Sequence, residues 1–187
     1  MRSGSTERHY IVQAFAPLHV VALARYDDAD VRERIIALKS ARRRDVICDV
    51  AHEMAHVLAT TTCLHCSVQP DVVTWVPASR RRIMYAGADA TADLAAVVAR
   101  LLGAESRALL RRRGDARQSS SVRSERLVGP DLRASPRARG RSILLVDDVT
   151  TTGATLRRAG DALRRDGDAC HVRAIVAAWT SPTRGDG

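Results

Sequence analysis

One stretch limits what this chain can fold into more than any other: Ile143-Leu144-Leu145-Val146-Asp147-Asp148-Val149-Thr150-Thr151-Thr152-Gly153-Ala154-Thr155. An apolar run leads straight into two carboxylates, a hydroxyl-rich turn closes on Gly153, and a helical pattern follows. An apolar run with no polar break suits a parallel strand covered on both faces. Asp147 and Asp148 then fall at its carboxyl end, where open α/β sheets bind ligands. Residues 151–155 can offer several backbone N–H groups and hydroxyls to one tetrahedral anion at the start of the next helix.

The number of donors matters. A helix dipole alone gives about 0.3–1 kcal/mol at an exposed terminus, whereas each hydrogen bond to a charged group gives roughly 1.5–3 kcal/mol. A loop supplying several such bonds can hold a phosphate; the dipole by itself cannot. Two carboxylates beside an anion are repulsive unless the ligand places hydroxyls or a metal between them. A sugar phosphate meets both demands, because acidic residues accept from ribose hydroxyls while the loop takes the phosphate. A Walker-type nucleotide loop is disfavoured, since no Gly-Lys-Ser/Thr follows the turn.

The adjacent acids, the Thr-Thr-Gly-x-Thr turn and the flanking apolar pattern together resemble the motif of type I phosphoribosyltransferases, which bind 5-phosphoribosyl 1-diphosphate (PRPP). The resemblance implies an α/β fold: a mostly parallel twisted sheet flanked by helices, with a small N-terminal hood. It also implies that Asp147 and Asp148 serve the ribose and the catalytic step. Thr150, Thr151, Thr152, Gly153, Ala154 and Thr155 would complete the ribose-5-phosphate site. Mg²⁺ would be held through the substrate, with Asp147 or Asp148 reaching it by way of water.

Length and charge fit this reading. At 187 residues the chain suits one α/β domain with a small appendage. Its 45% apolar content excludes a wholly disordered chain. No apolar run reaches the ~20 residues of a membrane span. The polar N-terminus is followed by no signal-peptide core, since Pro17 and His19 interrupt the apolar stretch, so a cytoplasmic protein is expected. A net charge of +9 suits anionic partners: phosphorylated substrates first, nucleic acid second. Lys39 is the only lysine, and so many arginines and alanines also fit a GC-rich coding bias. Aromatics at 3% argue against single-strand binding by base stacking. Cys48, Cys63, Cys66 and Cys170 are too few for a disulfide scaffold and read as free thiols.

Taken in order, residues 1–18 read as a loose terminus and residues 19–24 as a short strand. Residues 31–38 and 45–58 carry helical spacing, the second with Ile47, Val50, Ala51, Met54 and Leu58 on one face. Residues 72–76 form a strand stopped by Pro77. A helix is expected over residues 89–102 and a strand over 106–110. Residues 111–141, rich in Arg, Ser, Gly and Pro, read as a long loop. A helix over 153–165 and a strand over 171–178 complete a single domain from 19 to 180, with hood and first helices in 19–70 and a tail at 181–187.

Beyond the motif, Tyr26-Asp27 with Arg32, Ile36 and Lys39 is similar to the opening of the ComF-like branch, the competence-associated phosphoribosyltransferases. Trp75-Val76-Pro77 followed by basic residues and Gly87 resembles that branch's Val-Pro…Arg-Arg…Gly-Phe-Asn-Gln segment. Arg113, Asp115, Gln118, Glu125 and Arg126 echo its Arg…Gln…Glu-Arg stretch. This likeness makes Ala78, Ser79, Arg80 and Arg81 a diphosphate loop, and arginine suits that task because its planar fork binds two phosphate oxygens at once. It makes residues 111–141 a mobile loop closing over PRPP to exclude water. The chain departs from the branch at Gly87-Ala88-Asp89-Ala90, which lacks the aromatic and the amide, at Asp28, which replaces a glycine, and in having no four-cysteine zinc ribbon.

The implied function is transfer of the phosphoribosyl group to a nucleophile with release of diphosphate. The alternative is a catalytically weak PRPP- or nucleotide-binding protein on the same fold, regulatory or accessory to DNA uptake. Either leaves room for a homodimer and involves no membrane. Two short motifs point elsewhere. His52-Glu53-Met54-Ala55-His56 matches H-E-x-x-H, but both histidines lie opposite the apolar stripe of their helix, so a solvated face is the simpler reading. Cys63-Leu64-His65-Cys66 is a lone C-x-x-C, and zinc there would need His52, His56 or His65 as further ligands. Trp75 and Trp179 are expected to pack at strand ends.

Overall fold

The computed structural model describes residues 11–15, 18–39, 43–61, 68–79, 83–84, 89–112 and 131–180. Strands β1 (Ile11–Phe15) and β2 (Leu18–Arg25) lead into helices α1 (Ala29–Lys39) and α2 (Arg44–Thr60). Strand β3 (Val72–Trp75), helix α3 (Ala90–Leu102) and the short strands β4 (Glu105–Ser106) and β5 (Leu110–Arg112) follow. After β6 (Leu132–Ala134) and a 3-10 turn at Pro136–Ala138 come β7 (Ser142–Thr150), α4 (Ala154–Arg165) and β8 (His171–Trp179). One sheet has the order β1-β2-β8-β7-β3-β4, and β5 and β6 pair as a separate antiparallel ribbon. Among the described residues of this sheet, only β1 runs antiparallel to its neighbour. The mostly parallel α/β sheet expected from the sequence is the one observed.

The apolar runs of β7 and β8 are divided residue by residue between two cores, as side-chain alternation along a strand requires. Leu144, Val146 and Ile175 face a cluster with Ile35, Leu38, Met54, Leu94 and Val98 from α1, α2 and α3. Ile143, Leu145, Val172, Ala174 and Val176 face the opposite cluster with Leu156, Ala159 and Leu163 of α4 and Leu110 and Leu132 of the ribbon. The expected stripe of α2 is buried, Ile47, Val50, Ala51, Met54 and Leu58 all being at most 7% exposed. Among the described residues no helix is long and apolar enough to cross a membrane.

Four expectations need correction. Residues 1–18 were expected to be loose, yet Ile11–Phe15 forms β1, paired with β2 from Ile11↔Ala22 to Phe15↔Leu18; five residues are too few to show a period. The strand expected over 106–110 is instead two short strands on either side of residues 107–109. There Leu109 N–H donates to Thr74 Oγ1 at 3.1 Å, a side-chain bond that replaces the ladder. The long loop of residues 111–141 is closed at its root by the β5–β6 ribbon, and residues 113–130, with Arg113, Asp115, Gln118, Glu125 and Arg126, lie outside the described residues. Finally, β7 does not end at the acidic pair but runs on through Val149 to Thr150, which was expected in the turn.

The topology fixes where a ligand can enter. From β3 the chain crosses outward through α3 to β4 on one face of the sheet. From β7 it crosses the other way through α4 to β8 on the opposite face. Because β3 and β7 are neighbours, their outgoing loops part and leave a crevice between the carboxyl ends of the two strands.

A candidate anion and sugar site at the switch between β3 and β7

Asp147 and Asp148 stand at this crevice. Each carboxylate is oriented by the amide that follows it: Asp148 N–H donates to Asp147 Oδ1 at 2.9 Å, and Val149 N–H to Asp148 Oδ1 at 2.7 Å. Asp148 is 6% exposed, and its Oδ2 lies 3.9 Å from Lys39 Nζ at the last residue of α1. Burying a carboxylate is costly without a countercharge, and the sole lysine of the chain supplies one. Asp147 is half-buried beside it.

The next residues make the expected turn into a helix, with one change. Thr150 is a buried strand residue, paired with Trp179, and its carbonyl accepts from Thr180 N–H at 2.9 Å. The turn proper is Thr151, Thr152 and Gly153. Gly153 adopts φ +70°, which a Cβ would strain, and from there the chain enters α4. As the N-cap of α4 it has no side chain to satisfy the helix donors, and the first turn carries no acidic residue. Thr152 Oγ1 accepts from Ala154 N–H at 3.3 Å. Thr155 follows on the same first turn, half-buried. The positive end of α4 thus carries no acidic cap, and its dipole favours an anion there, although the Ala154 N–H is already taken by Thr152.

Trp179 was expected only to pack, yet it anchors this turn. Its Nε1–H donates to Thr151 O at 3.0 Å, and the Arg25 guanidinium lies 5.6 Å from its ring centroid. Tyr26 N–H donates to Trp179 O at 2.9 Å, and Arg32 lies 5.8 Å from the Tyr26 ring. Sequence reading missed this because it depends on register: β8 is as long as β7 and ends level with it, which brings residue 179 beside residue 150.

Across the crevice, Val76 N–H donates to Val146 O at 3.4 Å, carrying the chain past β3 toward Pro77, Ala78 and Ser79. Arg80 and Arg81, the basic half of the expected diphosphate loop, lie outside the described residues, as do Gly87 and Ala88. Ala78 N–H does not stand open: it donates to Asp89 Oδ2 at 3.2 Å, while Asp89 Oδ1 accepts from Thr91 N–H and Ala92 N–H at 3.2 and 3.4 Å. Arg112 Nε–H donates to Pro77 O at 2.8 Å. The Ala78–Asp89 and Pro77–Arg112 bonds escaped sequence reading because they join residues far apart along the chain, whereas the Asp89 cap of α3 is local and an aspartate at the start of a helical pattern is its signal.

The competing motifs resolve differently. Glu53 forms an ion pair with Arg34 at 2.6 Å, tying α2 to α1, and His52 Nδ1 bonds to Cys48 O. His52 and His56 are exposed. Cys63, His65 and Cys66 lie outside the described residues. Among the described residues no group of three or more His, Cys, Asp or Glu could hold a metal ion. Of the remaining cysteines, Cys48 is half-buried and Cys170 exposed, both as free thiols.

Among curated proteins, none matches the sequence. Solved structures that resemble the chain include the allosteric regulatory enzyme of purine biosynthesis, 26% identical with a TM-score of 0.45, covering 70% of this chain and 26% of that one. Glutamine PRPP amidotransferase from B. subtilis, complexed with ADP and GMP, is also 26% identical over 70% of this chain and 26% of its own, with a TM-score of 0.47. A purine phosphoribosyltransferase from Pyrococcus horikoshii Ot3 is 16% identical over 80% and 73% of the two chains, with a TM-score of 0.39. All three superpose loosely, and the chain spans about a quarter of the length of the first two. The family model of the phosphoribosyl transferase domain matches residues 90–185, a span of just over half the chain that takes in α3, the acidic pair, the Thr-Gly turn and β8. The chain belongs to the phosphoribosyl transferase domain family.

Proposed function

We propose that the protein binds PRPP and transfers its phosphoribosyl group to an acceptor nucleophile, as a ComF-like phosphoribosyltransferase. The observation that carries this reading is the oriented pair Asp147–Asp148 at the β3–β7 switch, flanked by the uncapped N-terminus of α4. In this reading Asp147 and Asp148 accept from the ribose 2- and 3-hydroxyls. The backbone N–H groups and hydroxyls of Thr151, Thr152, Gly153, Ala154 and Thr155 take the 5-phosphate. Ala78, Ser79, Arg80 and Arg81 receive the diphosphate.

The nucleophile's lone pair forms the new bond to ribose C1 as the C1–O bond breaks, and the diphosphate departs with that electron pair. Fixing both ends of the ligand contributes positioning, and cationic and N–H groups at the leaving group offset its growing charge. No general base is needed in the protein for a nucleophile that already carries a free pair. The donor set fits Mg²⁺: hard carboxylate oxygens at the crevice, with substrate phosphates to complete the shell. Asp147 or Asp148 would hold the ion through water, and it would neutralise charge on the diphosphate.

One observation favours the alternative of a binding protein with weak or no turnover. Asp89 stands in the altered 87–90 segment and already occupies the Ala78 N–H. Calorimetric titration of PRPP with Mg²⁺ tests both readings. Binding by wild type that is lost in Asp147→Asn/Asp148→Asn is expected, and no binding by wild type would sink both. Diphosphate release in the presence of nucleobases or amines separates transfer from binding alone. Salt-sensitive DNA binding indifferent to PRPP would point to a nucleic-acid accessory instead.

A further inference from the structure

The peptide group between Pro77 and Ala78 is held at both ends by side chains: Arg112 of β5 and Asp89, which closes the β3–α3 loop as the N-cap of α3. Arg112 Nε–H donates to its carbonyl at 2.8 Å, and its N–H donates to Asp89 Oδ2 at 3.2 Å. Asp89 is half-buried and doubly committed, because its other oxygen caps α3 through Thr91 and Ala92. The loop after β3 therefore presents the Ala78 N–H, its first backbone donor past Pro77, to a carboxylate of the same chain. That loop leaves β3 next to β7, the strand that carries the acidic pair.

We propose that Asp89 is an internal competitor at this loop: an incoming anion gains the Ala78 N–H only by displacing the Asp89 carboxylate. The inference rests on the reading of residues 78–81 as the diphosphate loop. An intramolecular partner competes at the high effective concentration of a tethered group. The apparent affinity of the loop for an external anion then falls by the fraction of molecules in which the donor is free. Arg112 fixes the carbonyl end of the same peptide, so the N–H cannot turn toward the crevice without loosening that contact as well.

Asp89→Asn separates competition from capping. Asparagine is as good an N-cap as aspartate, so α3 keeps its Thr91 and Ala92 bonds, but the atom facing Ala78 becomes an amide that cannot accept. Asp93→Asn is the charge control, since Asp93 lies exposed in the first turn of the same helix. Inorganic diphosphate with Mg²⁺ is titrated calorimetrically into wild type and both variants, with thermal melts alongside. Asp89→Asn is expected to bind about tenfold tighter if the donor is occupied some nine-tenths of the time, at an unchanged melting temperature, while Asp93→Asn matches wild type. Equal or weaker binding by Asp89→Asn, or an equal gain in Asp93→Asn, overturns the competitor role. Should Asp89→Asn melt lower, Asp89→Ser, a neutral cap of shorter reach, repeats the comparison under the same criteria. If neither wild type nor Asp89→Asn binds diphosphate, the diphosphate loop itself is refuted, and the competitor with it.

Discussion

Trp179 serves the turn of residues 151–153 through two different parts of one side chain. The indole N–H holds the Thr151 carbonyl, and the ring packs against the α4-side core while carrying Arg25 on its face. Trp179→Phe keeps an aromatic ring and removes the donor. Loss of one such bond is worth about 0.5–1.5 kcal/mol, so urea unfolding of Trp179→Phe should show stability lowered by that amount, seen as a lower midpoint with an unchanged slope. A midpoint equal to wild type would mean that the turn holds itself. Lys39 acts through charge instead: it reaches Asp148 at 3.9 Å while 39% exposed. Screening limits a pair of that kind to at most about 1 kcal/mol, and its weight falls on keeping a carboxylate in place at the crevice.

The two helices that leave the crevice begin in opposite ways. Helix α3 starts under a carboxylate that accepts two of its first N–H groups, and α4 starts from a left-handed glycine with no cap. Replacing Asp89 with alanine should cost about 0.5–2 kcal/mol of stability through the lost cap, measured by denaturant titration. Gly153→Ala should cost about 1–2 kcal/mol through its φ of +70°, and should weaken phosphate binding by turning the donors that follow. Retained stability in Gly153→Ala would show that the turn relaxes. Elements with long periodic patterns were legible before folding: the stripe of α2, the doubly covered runs of β7 and β8, and the turn at Gly153. What was not legible is short or non-local. Five residues of β1 and two of β4 carry no period, and the Ala78–Asp89 and Pro77–Arg112 bonds join residues whose spacing no helix or strand repeats. For the same reason Thr150 read as part of the turn, although pairing with β8 holds it in the strand.

At the scale of the molecule, the sheet separates two cores that share a backbone but not their side chains. Leu144 and Leu145 are adjacent, fully buried, and belong to different cores. Each truncation to alanine should cost about 2–5 kcal/mol, and because the cavities open on opposite faces the double variant should show near-additive loss. A domain has only about 5–15 kcal/mol in all, so Leu144→Ala/Leu145→Ala should sit close to the unfolding limit; strong non-additivity by denaturant titration would show that the two layers respond as one. The two tryptophans divide along the same line. Trp75 ends β3 and packs toward the α1–α3 core, and Trp179 ends β8 and packs toward the α4 core. Each wall of the crevice consequently carries its own fluorophore. With Trp179→Phe leaving only Trp75 and Trp75→Phe leaving only Trp179, emission spectra can record separately how diphosphate and ribose 5-phosphate perturb each wall, and stopped-flow traces can order the two events in time.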